Sequence, residues 1–163
     1  MYPDRLFNLA LLTIDDARER KLKICTAESC TGGLLAALFT EIEGSSAVFE
    51  RGFVTYSNRA KQEVLGVPGD VIADYGAVSE PVARMMAEGA LEASRANIAV
   101  SITGIAGPGG GTPLKPVGTV HIACIRENRA MQHELRQFGD IGRAEVRMQT
   151  LEVALELIQE QMA

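Results

Sequence analysis

The sequence predicts an α/β fold: a single three-layer α/β/α sandwich with a mixed central sheet. Helical and strand-like periodicities alternate along the chain, as they do where helices cover both faces of a sheet. The segment 98–102 is a near-continuous apolar run, which is typical of a central strand buried on both sides. No internal repeat, low-complexity stretch or linker divides the 163 residues, so we predict one domain over residues 1–163.

Local patterns predict each element in the first half of the chain. Leu6, Ala10 and Ile14 recur at helical spacing on one face. The aromatic and β-branched residues that begin at Phe49 are typical of a strand, and Gly66 marks the end of a short helix. In chain order the predicted elements are a helix over about 3–20, a strand over 23–27, a helix over 32–42, a strand over 49–57 and a helix over 58–65.

The second half continues the alternation and ends with a hairpin and a long helix. Ser79, followed by Glu80 and Pro81, is a helix-start signal. The short polar connection 127–129 joins two strand patterns in a hairpin. In chain order we predict a helix over 79–94, a strand over 97–103, a glycine-rich loop over 104–116, strands over 118–126 and 131–138, and a helix over 141–162.

Composition excludes several classes of function. The formal charge is −5 and no basic stripe is present, so we expect neither nucleic acid nor membrane as a partner. No apolar run approaches the roughly 20 residues that span a bilayer, and the N-terminus is an amphipathic helix rather than a secretory signal. The three cysteines (25, 30 and 124) have no metal-ligand spacing and the two histidines lie on different segments. We therefore predict reduced thiols, a cytoplasmic protein and no histidine-based zinc site.

The segment 26–33 (Thr-Ala-Glu-Ser-Cys-Thr-Gly-Gly) is the first candidate for chemistry, because a strand ends and a helix begins there. Unpartnered N–H groups at a helix start can stabilise the oxyanion formed when Ser29 attacks an amide carbonyl. Gly32 and Gly33 let a substrate approach the backbone closely, and with Thr31 they are the predicted substrate contacts. The alternative is that Ser29 or Thr31 serves only as the helix N-cap.

A serine nucleophile needs a base, and no Ser-His-Asp arrangement is visible. Lys61 follows the second strand and, one turn into the predicted helix, can face back toward the strand ends. Its ordinary pKa of about 10.4 must fall for it to act as a base; burial or Arg59 would lower that pKa, and a nearby Glu28 would oppose the change. Tyr56 is positioned to relay or orient a proton. The alternatives are a solvated lysine and a half-buried strand tyrosine.

The glycine-rich loop follows the predicted central strand. Its backbone amides can approach a phosphate or carboxylate, so we predict substrate contacts from Thr103, Gly104, Gly107, Gly109 and Gly110. The segment matches neither a Walker loop nor a dinucleotide fingerprint, because no Gly-Lys-Ser/Thr follows and the next element is a strand. The alternative is a flexible surface loop.

Arg143 opens the last predicted helix, where the helix dipole disfavours a cation. A bound phosphate or carboxylate would explain its presence there, and we therefore predict a substrate contact. The alternative is that Asp140 caps the helix and Arg143 is merely solvated.

Four motifs occur together in an order that resembles the CinA C-terminal domain family, over nearly the whole chain from about Leu6. They are Ala-Glu-Ser-Cys-Thr-Gly-Gly at 27–33, Tyr-Ser-Asn with a lysine at 56–61, Thr-Gly-Ile-Ala-Gly-Pro-Gly-Gly at 103–110, and Lys-Pro-Val-Gly-Thr-Val at 115–120. Members are similar to nicotinamide-nucleotide amidases, which convert nicotinamide mononucleotide to nicotinic acid mononucleotide and ammonia in the pyridine nucleotide cycle of NAD metabolism.

The resemblance implies a serine–lysine hydrolase without a metal or cofactor. Ser29 would attack the carboxamide, Lys61 would act as general base with assistance from Tyr56, and Thr103 and Arg143 would bind substrate or order the site. Some relatives carry an extra N-terminal domain similar to molybdopterin-binding proteins, and we expect this chain to be the stand-alone form. The apolar faces at both termini lead us to expect a homo-oligomer, for instance a dimer.

Two alternatives to this mechanism stay open. Cys30 could be the nucleophile if the helix N-terminus lowers its pKa, although no histidine partner is evident. The chain could instead be a non-catalytic module that binds a pyridine nucleotide or takes part in a competence or DNA-damage response.

Overall fold

A computed structural model describes all 163 residues of the chain, which contains one five-stranded sheet. The strands are β1 (Ile24–Glu28), β2 (Phe49–Val54), β3 (Ile98–Gly104), β4 (Thr119–Arg126) and β5 (Gln132–Gln137). Their order across the open sheet is β2-β1-β3-β4-β5. β1 pairs in parallel with β2 and β3, whereas β4 is antiparallel to β3 and β5. The predicted α/β class and mixed sheet are thus confirmed.

Helices cover both faces of the sheet. They are α1 (Asp4–Glu19), α2 (Leu34–Thr40), α3 (Asn58–Leu65), α4 (Gly69–Tyr75), α5 (Glu80–Glu92) and α6 (Arg143–Met162), with a 3₁₀ turn at Ser45–Ala47. α1, α2 and α6 pack against one face, and α3, α4 and α5 form the layer on the other. The three-layer arrangement is therefore also as predicted. None of the helices combines the length and hydropathy needed to cross a bilayer.

The central strand β3 supplies core residues to both layers. Ile98, Val100 and Ile102 are fully buried toward α1, α2 and α6, and each contributes on the order of 1.5–3 kcal/mol through burial. The alternate residues are small: Ala99 faces the opposite layer, and Ser101 Oγ donates to the Ala83 carbonyl oxygen of α5 at 2.5 Å. Small side chains on this face let α5 approach the sheet closely.

Three predicted boundaries were wrong, and one helix was not predicted. α2 begins at Leu34 rather than at Gly32, because Gly32 and Gly33 have left-handed φ values of +59° and +101° that a helix cannot include. No element was predicted between Gly66 and Ser79, where α4 lies. β2 ends at Val54 instead of 57, and α6 begins at Arg143 because the backbone of Gly142, with φ at +99°, lies outside the helical region.

The sheet topology brings three chain segments to one edge. Because β1 lies between its two parallel neighbours, the carboxyl ends of β1, β2 and β3 meet there, at the position where open α/β sheets bind ligands. Ser29 N donates to the Ile102 carbonyl oxygen at 3.0 Å, and Thr55 N donates to the Glu28 carbonyl oxygen at 2.9 Å. These bonds hold the backbone just after β1 between both neighbouring strands.

Candidate active site

A cavity of about 260 Å³ opens at this edge of the sheet. It is lined by Ser29, Cys30, Tyr56, Asn58, Lys61, Ala77, Val78, Arg143 and the segment 103–107 with Gly109 and Gly110. None of these residues is acidic, and the basic ones are Lys61 and Arg143. The cavity is therefore electrostatically suited to an anionic ligand.

Ser29 and Lys61 form a hydrogen-bonded pair inside the cavity. Lys61 Nζ lies 3.0 Å from Ser29 Oγ, 3.1 Å from the Thr55 carbonyl oxygen and 3.5 Å from the Tyr56 carbonyl oxygen. A neutral amine has two N–H donors and one lone pair. Since the two carbonyls can only accept, the neutral amine can donate to both and accept the proton of the Ser29 hydroxyl.

Burial determines the protonation behaviour of Lys61. The residue is only 2% exposed, and no carboxylate forms an ion pair with it. Desolvation disfavours the ammonium form and lowers the pKa of Lys61 below the usual lysine range. This is the direction that a general base requires.

Tyr56 lies at the cavity but does not contact the Ser29–Lys61 pair through its hydroxyl. The residue is 63% exposed, and its Oη accepts a hydrogen bond from Arg143 Nη2 at 3.2 Å. Arg143 Nη1 donates to the Gly107 carbonyl oxygen at 2.8 Å. The guanidinium therefore connects the end of β2 to the glycine-rich loop.

Thr103 and the glycine-rich loop after it line the same cavity as α3. Thr103 is 1% exposed, and its Oγ1 donates to the Ala77 carbonyl oxygen at 2.8 Å, which ties β3 to the α4–α5 connection. The N–H groups of Gly107, Gly109 and Gly110 donate to no acceptor within the protein. Gly107 has φ +85°, and a Cβ there would lie 2.5 Å from Val117 Cγ1, so a side chain would strain the backbone and displace Val117.

Three predicted substrate contacts, Thr31, Gly32 and Gly33, do not line the cavity. Thr31 is buried, and its Oγ1 donates to Glu28 Oε1 at 2.7 Å. The Glu28 carboxylate also accepts the N–H groups of Leu35 and Ala36 at 2.9 and 3.1 Å. Because the N–H groups of Leu35 and Ala36 already donate to Glu28, they are not available to stabilise an oxyanion, which was the role expected of the helix start.

Cys30 lines the cavity, but its environment disfavours the thiolate. Burial raises the pKa of the Cys30 thiol to about 11, although the cations of Arg147 and Arg143 act in the opposite direction. Desolvation thus outweighs the nearby positive charges, and the lowered pKa that the alternative of a Cys30 nucleophile requires is not found.

Several residues near the site were not predicted. Asn58, Val78 and Ile105 line the cavity, and Arg147 Nη2 donates to the Thr31 carbonyl oxygen at 3.2 Å. Arg147 lies one helical turn after Arg143, and this i, i+4 spacing on one face of α6 was the signal that could have identified it.

The two histidines lie together but outside the cavity. His121 Nδ1 and His133 Nε2 are 2.9 Å apart, and His133 Nδ1 lies 3.6 Å from Glu80 Oε1. Burial, with the neighbouring His133 and Lys115, lowers the pKa of His121 to about 4. No group of three or more His, Cys, Asp or Glu side chains is arranged to hold a metal ion.

Comparison with known proteins places this geometry in a family context. The sequence model described as the CinA C-terminal domain matches residues 7–162. The competence/damage inducible protein CihA of Agrobacterium tumefaciens is 50% identical, with a TM-score of 0.99 over 100% of this chain and 99% of that one. A competence-damaged protein (CinA) superfamily member from Escherichia coli is 32% identical, with a TM-score of 0.90 over 98% and 93% of the two chains.

Two curated relatives are longer than this chain. A CinA-like protein of Akkermansia muciniphila is 64% identical over 105 residues, which are 64% of this chain and 25% of that protein. A CinA-like protein of Syntrophus aciditrophicus is 48% identical over 156 residues, which are 94% of this chain and 35% of that protein. The chain thus spans between a quarter and about a third of the length of these relatives.

Proposed function

The chain belongs to the CinA C-terminal domain family, and we propose that it hydrolyses the carboxamide of nicotinamide mononucleotide to nicotinic acid mononucleotide and ammonia. The observation that carries this proposal is the 3.0 Å contact between Lys61 Nζ and Ser29 Oγ in a cavity without acidic residues. A buried lysine of lowered pKa beside a serine hydroxyl is the arrangement that activates a nucleophile for acyl transfer.

The first half-reaction forms an acyl-enzyme. Lys61 Nζ accepts the Ser29 proton while Oγ attacks the carboxamide carbon, and a tetrahedral oxyanion results. The ammonium of Lys61 then protonates the departing nitrogen as the C–N bond breaks. Ammonia leaves, and the nicotinoyl group is esterified to Ser29.

Water completes the second half-reaction. Neutral Lys61 accepts a proton from water as its oxygen attacks the ester, and the same proton returns to Ser29 Oγ when the C–O bond breaks. The products are nicotinic acid mononucleotide and the free hydroxyl of Ser29, so the net change is amide plus water to carboxylic acid plus ammonia, which ionise to carboxylate and ammonium.

The oxyanion requires a backbone donor at the cavity. Cys30 lines the cavity directly after the nucleophile, and its N–H donates to no other residue and contacts only its own thiol, which an oxyanion would replace. A backbone N–H that is already oriented toward the developing charge can stabilise a transition state by a few kcal/mol.

The nucleotide phosphate matches the other end of the cavity. Arg143 provides a cation there, and the N–H groups of Gly107, Gly109 and Gly110 are without acceptors in the protein. Charge-assisted contacts from a guanidinium and loop amides suit a phosphate monoester. The aromatic carboxamide would then extend toward Ser29.

An ammonia-release assay tests the proposal on three substrates: nicotinamide mononucleotide, nicotinamide riboside and nicotinamide. We expect turnover of the mononucleotide, with kcat/KM lower for the two compounds that lack a phosphate. Ser29→Ala is the control, and it should bind the mononucleotide without releasing ammonia. Saturable binding to the wild type with no turnover of any of the three would contradict the amidase and favour the non-catalytic module.

A further inference from the structure

Glu28 is a buried acid next to the nucleophile that the proposed chemistry does not use. It is the last residue of β1 and is 1% exposed. Residues 24, 26 and 28 share one face of the strand, and Ile24 packs into the core under α2. Glu28 therefore points toward α2, away from the layer that carries Lys61.

The Glu28 carboxylate contacts the middle of the turn 29–33 and the first turn of α2 that follows it. Oε1 accepts from Thr31 Oγ1 at 2.7 Å and from Leu35 N at 2.9 Å, and Oε2 accepts from Ala36 N at 3.1 Å. All three partners are donors, so the side chain acts only as an acceptor. One end of the turn is thus covalently joined to Glu28, and the helix that follows the other end is hydrogen-bonded to it.

Two further contacts fix the same turn from outside. Arg147 of α6 donates to the Thr31 carbonyl oxygen at 3.2 Å, so Thr31 is held through both its hydroxyl and its carbonyl. Ser29 N is held by Ile102 of β3. The direction of the Ser29 side chain and of the Cys30 N–H depends on this turn.

Helix capping alone does not account for an acid at this position. A Ser, Thr, Asp or Asn at the N-cap would satisfy the first amides of a helix. The N-cap of α2 is instead Gly33, which makes no side-chain cap, and a buried carboxylate seven residues before Leu35 spans the whole turn. Burying a carboxylate is costly unless donors compensate it, and here the compensating donors all belong to the nucleophile turn and the start of α2.

We propose that Glu28 is a positioning residue: its carboxylate fixes the turn 29–33 so that Ser29 Oγ stays within reach of Lys61 and the Cys30 N–H faces the cavity. The side chain does not line the cavity and makes no hydrogen bond to Ser29 Oγ or Lys61 Nζ. This inference rests on the Ser29–Lys61 pair of the proposed function. Loss of the carboxylate should affect the rate of attack more than the binding of substrate.

Three variants separate positioning from general stability. Glu28→Gln keeps the Oε1 contacts and replaces Oε2, which accepts from Ala36 N, by an NH₂ donor. Glu28→Ala removes all three contacts. Leu38→Ala is the matched control, because Leu38 is a fully buried residue of the same short helix and does not line the cavity. It should lower the melting temperature without disturbing the turn.

Labelling of Ser29 by a fluorophosphonate probe reports on the nucleophile without any amide substrate. We expect Glu28→Ala to slow labelling by ~100-fold, which is the effect of misplacing a reacting atom by about 1 Å. The labelling rate of Glu28→Gln should lie between those of Glu28→Ala and the wild type. Leu38→Ala should be labelled at the wild-type rate. In the ammonia assay kcat should fall in the same order while KM is unchanged. If Glu28→Ala does not fold, the intermediate rate of Glu28→Gln at full circular dichroism signal carries the test.

Failure of the positioning role can be distinguished from failure of the proposed amidase function. Labelling of either Glu28 variant at the wild-type rate, or equal slowing in Leu38→Ala, would overturn the positioning role. A labelled wild type that does not hydrolyse nicotinamide mononucleotide would contradict only the substrate assignment. If the folded wild type resists labelling, the activated Ser29 is absent and both proposals fall.

Discussion

Tyr56 Oη accepts its hydrogen bond from Arg143 Nη2 at 3.2 Å, and that phenol makes no hydrogen bond to Ser29 or Lys61. The backbone of Tyr56 nevertheless contributes its carbonyl to the lysine at 3.5 Å. One residue therefore serves two ends of the site, with its main chain near the base and its side chain near the predicted phosphate contact.

This division predicts a mild effect of Tyr56→Phe. The change removes one exposed hydrogen bond to a cation, worth about 1 kcal/mol net, so kcat/KM should fall by roughly 3- to 10-fold. Tyr75→Phe, another exposed tyrosine outside the cavity, is the control in the same ammonia assay. A loss as large as that of a lysine variant would mean that the phenol transfers a proton, as the sequence-based hypothesis of an assisting Tyr56 allows.

Lys61→Met should separate activity from stability. Removal of a general base lowers kcat by roughly 10²–10⁴-fold, and Lys61→Arg should not restore it because a guanidinium does not deprotonate. Methionine has no charge to desolvate at this buried site, so the melting temperature of Lys61→Met should equal or exceed that of the wild type. Calorimetry and the ammonia assay together check this, and substantial activity in the arginine variant would contradict the role of Lys61 as base.

The lowered pKa of Lys61 predicts how activity depends on pH. The base is active when neutral, so kcat/KM should rise with pH through a transition below the ordinary lysine value of about 10.4. A His133→Asn control should keep this transition, since neither histidine lines the cavity. A profile without any rise below that value would contradict a neutral Lys61.

Stability should follow the same titration. Because the folded-state pKa of Lys61 is below the unfolded value, the unfolded chain binds more protons between the two values, and stability rises with pH across that window. At pH values below the folded-state pKa, the stability of the folded chain is reduced by the full free energy of charging the buried amine. Lys61→Met should abolish this increment in urea unfolding at a series of pH values, and an unchanged slope would contradict the burial argument.

Arg143→Ala should discriminate between substrates by their phosphate. It removes the cation and its contacts with Gly107 and Tyr56, so kcat/KM for nicotinamide mononucleotide should fall by ~10- to 100-fold, as expected for a charge-assisted contact. The rate with nicotinamide riboside should change far less. Equal losses on both substrates would show that Arg143 orders the loop rather than binding the phosphate.

Cys30→Ala should retain most of the activity, because burial keeps the pKa of its thiol near 11 and the proposed oxyanion donor is its backbone N–H. Comparison of kcat with the wild type and with Ser29→Ala checks this. Inactive but folded Cys30→Ala alongside an active Ser29→Ala would transfer the nucleophile role to the cysteine.

The strand pattern was sufficient to predict the sheet and the position of the candidate site. Alternating apolar runs predicted all five strands, and chain order placed the segments after β1, β2 and β3 as the carriers of chemistry. The start of α2 was missed because Gly32 and Gly33 were interpreted as helical residues, whereas their positive φ values form a turn. α4 was missed because it has only seven residues and its helical state depends on the packing of Ile72.

Glu28 illustrates what local reasoning did not resolve. It was considered only as a charge that would oppose the lowering of the Lys61 pKa. The period of two along β1 places its side chain with Ile24, on the face of α2, whereas α3 with Lys61 lies on the other face. Arg143 was predicted from its unfavourable place at a helix start. Its partners are Tyr56, just after β2, and Gly107 of the glycine-rich loop, and no local pattern reports contacts between residues so far apart in sequence.

The most direct test of the account is mass spectrometry of enzyme quenched with acid during turnover of nicotinamide mononucleotide. We predict a transient adduct whose mass equals that of the substrate less ammonia, mapped to Ser29 by peptide analysis and absent from Ser29→Ala. Turnover by the wild type with no adduct at any quench time, or an adduct on another residue, would contradict Ser29 as the nucleophile.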